Sequence, residues 1–101
     1  MITAIVQFPL SADTTLQKAR ELFEGSAPKY QGLEGLVRKY YLFDEESMTG
    51  GGCYLWESRA AADAVYTDEW KAMIEQRYGA APQIRYYSTP VIVDNTELET
   101  V

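Results

Sequence analysis

Ile2, Ala4, Val6 and Phe8 alternate with Ile5 and Gln7 at the start of the chain. This period-two pattern predicts a first strand over Thr3 to Phe8. Pro9 ends it, because proline has no N–H to give to a ladder. The period then changes. Leu16, Ala19, Phe23 and Ala27 recur at spacings of three and four behind the capping run Ser11-Ala12-Asp13-Thr14. A helix over roughly Thr14 to Tyr30 follows, with a kink or a short second segment near Ser26 where Gly25 and Pro28 interrupt it. Leu36 to Phe43 and the glycine run ending at Trp56 read as two strands of a hairpin, joined by the acidic loop Asp44 to Thr49. Ser58 caps a helix-favouring alanine run. Thr67-Asp68-Glu69 supplies a second cap, and Gly79 with Pro82 stops the helix that follows. A last strand is expected from Ile84 to Asp94, split by Pro90 in the manner of an edge strand or a bulge.

The order is β-α-β-β-α-β, which predicts an α+β, ferredoxin-like fold with a four-stranded antiparallel sheet. Residues 1–95 form one domain, and 96–101 an acidic tail. The first hairpin strand is unusual. Leu36, Arg38, Tyr40 and Leu42 alternate with Val37, Lys39, Tyr41 and Phe43, so both faces are largely apolar and each carries one cation. Two helices cover only one face of such a sheet. A second copy packed sheet to sheet would cover the other, with the residues after Pro90 reaching toward it. The alternative is a monomer with an exposed aromatic face, which is rare.

Composition narrows the chemistry. Among 101 residues there are 9 basic and 15 acidic side chains, for a net charge of −6. No basic run exists, so neither nucleic acid nor an anionic membrane is an expected partner. The N-terminus lacks a basic n-region and no apolar stretch approaches the ~20 residues of a span, which makes a cytoplasmic location the expectation. Histidine is absent and Cys53 is the single cysteine. No histidine–cysteine metal site of the zinc kind, no histidine base and no internal disulfide can be built. Proton transfer falls to Asp, Glu, Lys, Tyr, Cys or the substrate. The triplet Gly50-Gly51-Gly52 is followed by a strand and lacks GK[ST], so it reads as a bulge or close strand approach rather than a phosphate loop. Cys53 reads as an inert strand thiol, and Asp44-Glu45-Glu46 as a solvated turn.

Four segments carry a family resemblance: Gly35 to Leu42, Gly51 to Ser58, Trp70 through Gly79, and Pro90 to Asn95. Their order and spacing resemble the small mono-oxygenases of the dimeric α+β barrel superfamily, relatives of the antibiotic-biosynthesis monooxygenases. The resemblance implies a homodimer and a pocket between sheet and helices. It also implies a cofactor-independent mono-oxygenase for a small aromatic or polyketide-like substrate, with no metal. Superfamily members also include cyclases and dehydratases, so a non-oxidative binding protein, a cyclase or dehydratase, or a structural dimer are the other readings. For an oxygenase, a cation on an inward strand position would stabilise the substrate anion. Arg38 is the candidate, sharing a face with Tyr40; the other reading has Arg38 and Lys39 pairing with acidic neighbours. Tyr54, Trp56, Tyr66, Trp70, Tyr78 and Tyr86 are the candidate substrate-binding residues. For Tyr66, Trp70 and Tyr78, helical spacing is more simply explained as core packing.

Overall fold

A computed structural model describes residues 1–96. Its elements are β1 (Ile2–Pro9), α1 (Leu16–Ser26), a 3-10 turn (Ala27–Lys29), β2 (Leu36–Asp44), β3 (Thr49–Trp56), α2 (Arg59–Val65), α3 (Asp68–Tyr78) and β4 (Gln83–Ser88). The strands form one antiparallel sheet in the order β2-β3-β1-β4, which is the ferredoxin-like arrangement. The helices start at side-chain caps, each satisfying an amide that the first turn leaves unpaired. Thr15 accepts from the Lys18 N–H, Ser58 from Ala61 and Thr67 from Trp70. Pro28 forces the short 3-10 turn after α1, and Gly79 ends α3 at φ 90°.

One face of the sheet carries the helices. Ala4, Val6 and Phe8 of β1 and Tyr54 and Trp56 of β3 are buried there against Ala19 and Phe23 of α1, Ala62, Tyr66 and Ile74. The core is mostly aromatic and its polar atoms are paired. The Trp56 indole N–H donates to the Tyr66 hydroxyl at 3.1 Å, and the two rings meet edge to face at 5.5 Å. Such pairs add to the effect of burial alone. The opposite face carries no helix.

Two features differ from the sequence pattern. A bulge interrupts β2: Leu36 lies opposite Trp56 and Arg38 opposite Leu55, so Val37 is an extra residue. The bulge inverts the alternation. Leu36 joins Lys39, Tyr41 and Phe43 on the helix side, while Arg38, Tyr40 and Leu42 point to the open face. The last strand ends at Ser88, rather than running to Asp94. Thr89 still bonds Met1 through its amide, but Pro90 has no N–H to continue the ladder. The chain leaves the sheet edge there. It reaches Asp94 beside Arg38 of β2, where the two side chains pair at 2.7 Å. The acidic tail expected from residue 96 lies outside the described residues after Thr96.

Candidate functional site

The structure separates the residues singled out by sequence. Arg38 and Tyr40 lie on the open face and not in the layer between sheet and helices, because the bulge sets their side. Arg38 donates to Tyr40 and to Asp94, the ion pair that the competing reading anticipated. Hydrogen bonds from Thr96 and Arg38 hold the Asp94 carboxyl down to about 2. Tyr54, Trp56, Tyr66 and Trp70 do come together, with Tyr86 6.2 Å from Tyr66. They meet as packed rings rather than as walls of a ligand-sized space. Burial pushes the Tyr54 and Tyr66 hydroxyls well above their ordinary range. Tyr78 stands apart, stacked on Phe8 at 4.1 Å, and Tyr86 lies under the Arg59 guanidinium at 3.6 Å.

The side chain that sequence reasoning passed over is Lys39. Its register opposite Tyr54 sends it into the helix layer. The amine sits 3.6 Å from the centre of the Tyr30 ring, 3.8 Å from Tyr41 and 4.5 Å from Tyr54. Gly52 makes room for it: a Cβ there would come within 2.9 Å of the Tyr54 ring and 3.2 Å of the lysine stem. The ring box is braced from outside. The Trp70 indole N–H donates to the Tyr30 hydroxyl at 3.2 Å, and Ser26 shares a 2.7 Å hydrogen bond with the Tyr41 hydroxyl. Bracing of this kind keeps a site at its working geometry.

The charge balance around Lys39 is one-sided. It borders an enclosed cavity of about 20 Å³ whose lining also includes Lys29, Arg77 and Tyr78, room for a single water. It also lines, with Tyr30, Tyr41, Leu36 and the β2 bulge at Val37, an open groove of about 300 Å³ along the free edge of β2. Neither space is lined by a carboxylate. Among the described residues the Lys39 amine has no ion pair. Burial draws its pKa down from 10.5 to about 7, since a desolvated ammonium is costly. The three ring faces act in the opposite sense by attracting a cation. Both protonation states are therefore accessible near neutrality. The signal for this site was present as the alternation of Lys39, Tyr41 and Phe43, but the bulge decides which face they share.

Among the described residues no group of three or more His, Cys, Asp or Glu side chains could hold a metal ion. Likewise, no helix there is long and apolar enough to cross a membrane. Cys53 is a half-buried thiol on the open face, its pKa raised by burial.

No family model and no curated protein matches the sequence. Solved structures do match it in shape. The monooxygenase from the gene ActVA-Orf6 of Streptomyces coelicolor, in complex with nanaomycin D, is 18% identical. It superposes with a TM-score of 0.66 over 91% of this chain and 89% of that one. SnoaB of Streptomyces nogalater, a cofactor-independent oxygenase, is 12% identical with a TM-score of 0.63 over 91% and 95%. A Nitrosomonas europaea protein of unknown function, NE2512, is 12% identical with a TM-score of 0.71 over 91% of each chain. The chain thus has the ferredoxin-like α+β fold found in antibiotic-biosynthesis monooxygenases. At these identities the likeness is one of fold, and it includes a protein without assigned function.

Proposed function

We propose that the protein is a small cofactor-independent mono-oxygenase for an ionisable planar aromatic or polyketide-like molecule, bound in the β2-edge groove over Lys39. The supporting observation is the Lys39 box: a braced amine, further cations nearby and no lining carboxylate, in a protein of net charge −6. Such a site favours an anionic oxygen flanked by aromatic surface. Lys39 in its neutral form takes the proton of a phenol or enol, and the resulting ammonium stays as counter-ion to the electron-rich anion. Oxygen then reacts at an activated methylene carbon. One atom becomes the new carbonyl oxygen, and the other leaves as water with the two hydrogens.

Oxygen uptake with hydroxylated naphthalenes and anthrones tests this. Lys39→Met is expected to slow uptake by roughly a hundred-fold, within the range for a general base. The wild-type rate is expected to rise with pH through about 7. Equal rates in the two proteins remove Lys39 from the chemistry. Ligand-dependent quenching of tryptophan fluorescence without oxygen uptake would support the second reading, a non-oxidative binding protein.

The same reading includes a homodimer. Tyr40 (54% exposed), Leu42, Tyr87 and the segment Val91-Ile92-Val93 (76%, 46% and 80%) leave apolar surface unburied. Patches of this kind mark interfaces, and a second copy offers the same face in return. Sedimentation at micromolar concentration is expected to give twice the mass of 11.4 kDa, and Tyr40→Asp with Val93→Asp to give a monomer. A wild-type monomer would overturn the dimer.

A further inference from the structure

We infer that Lys39 is also a reactive amine, which forms a reversible imine with the carbonyl group of a small aromatic aldehyde or ketone seated in the β2-edge groove. The geometry carries this. Lys39 lines a groove of about 300 Å³ that opens at the sheet edge, so a flat carbonyl compound can approach this side chain from outside. Its position is fixed by the Tyr30, Tyr41 and Tyr54 rings. Those rings offer stacking surface to the aromatic part of the ligand.

The surroundings also favour a free amine. Lys29 and Arg77, and no carboxylate, line the adjoining cavity. The titratable groups facing the amine are the tyrosines Tyr30, Tyr41, Tyr54 and Tyr78, and no carboxylate lines either space. Burial disfavours the ammonium, and desolvation is a usual means of activating a lysine nucleophile.

The step balances without an added oxidant. The nitrogen lone pair bonds to the carbonyl carbon, and the π pair moves to oxygen. One amine proton passes to that oxygen to give the carbinolamine. The second amine proton leaves with the hydroxyl as water, and the C=N bond forms. The reaction uses the groove proposed for the oxygenase but needs no oxygen, so each can fail without the other.

The test is reductive trapping on the folded wild-type chain. Benzaldehyde and cyanoborohydride are added at pH 7 under argon, and the adducts are mapped by peptide mass spectrometry. The exposed Lys18 and Lys71 serve as internal references. Lys39 is expected to be benzylated at least about ten-fold faster than either, as its larger neutral fraction requires. Its labelling rate is expected to rise through pH 7 and level off. Lys39→Arg is expected to lose the fast adduct while keeping its far-ultraviolet spectrum. Labelling of Lys18 or Lys71 at the same rate as Lys39, or ahead of it, overturns the proposal from the wild type alone. Trapping at Lys39 without oxygen uptake in air would retain the reactive amine and remove the oxygenase.

Discussion

Replacing Lys39 with methionine makes the protein more stable at neutral pH, by about 2–4 kcal/mol, and flattens its response to alkali. The wild-type amine is protonated at 10.5 when ordinary and at about 7 in the fold. Between these values the unfolded chain binds the extra proton, so wild-type stability rises as pH goes from 7 toward 10. Below pH 7 both states are protonated, and the cost of burying the ammonium is fully present. A drop of this size corresponds to ~1.4 kcal/mol for each tenfold step in proton affinity. Partial solvent access and the ring faces reduce the total to the range given. Methionine keeps the unbranched stem that Gly52 accommodates and offers sulfur to the same rings. Thermal unfolding at pH 7 should show the variant melting roughly 10 °C or more above wild type, with the gap closing by pH 10. Above pH 10 both proteins lose stability, because the raised Tyr54 and Tyr66 hydroxyls ionise first in the unfolded chain. A variant no more stable than wild type at pH 7 would mean that the amine is not desolvated in the native protein.

Gly51→Ala is the most damaging small substitution available in the sheet. A Cβ at Gly51 would stand 1.8 Å from the Val6 carbonyl oxygen and 2.8 Å from its carbon. Both atoms belong to the neighbouring strand, at the register pair Gly51 with Gln7. No rotamer change relieves a backbone clash, so β1 and β3 must separate and lose ladder hydrogen bonds. The expected loss is about 3–5 kcal/mol, against a total of ~5–15 kcal/mol for a domain. Gly32→Ala supplies the contrast. Gly32 has φ 70° but nothing within 4 Å of a new Cβ, so only the backbone term of about 1 kcal/mol applies. Urea titration of both variants decides the matter, and similar midpoints would mean that the strands are not held this closely.

The elements could be read from the chain because their signals are local. The caps at Ser58 and Thr67, the stop at Gly79 and the breaks at Pro9 and Pro28 act within a turn or two. The β-α-β-β-α-β order then leaves one sheet topology. The candidate site was less legible. Arg38 is favoured in sequence because it shares a face with Tyr40, and it does share that face, but the register with β3 turns the face away from the helices. Nothing local marks a bulge whose cause is the pairing of β2 with β3. Tyr54, Trp56, Tyr66 and Trp70 lie together while Tyr78 stands apart on Phe8, and ring contacts with the Trp56–Tyr66 hydrogen bond fill the space among the four. Tyr30 and Ser26, which complete and brace the Lys39 box, come from a segment whose importance depends on tertiary contact alone.

Alternation along β2 also works as a divider, and the bulge at Val37 sets its phase. Arg38 and Lys39 are neighbours in sequence, yet one belongs to the outside of the sheet and the other to its interior. A substitution at Arg38 alters the latch to Asp94 and the surface offered to another chain. A substitution one residue later alters proton affinity inside the ring box. Two properties that selection would otherwise have to adjust together are thus separately tunable, and the gain or loss of a single residue at that point would exchange them.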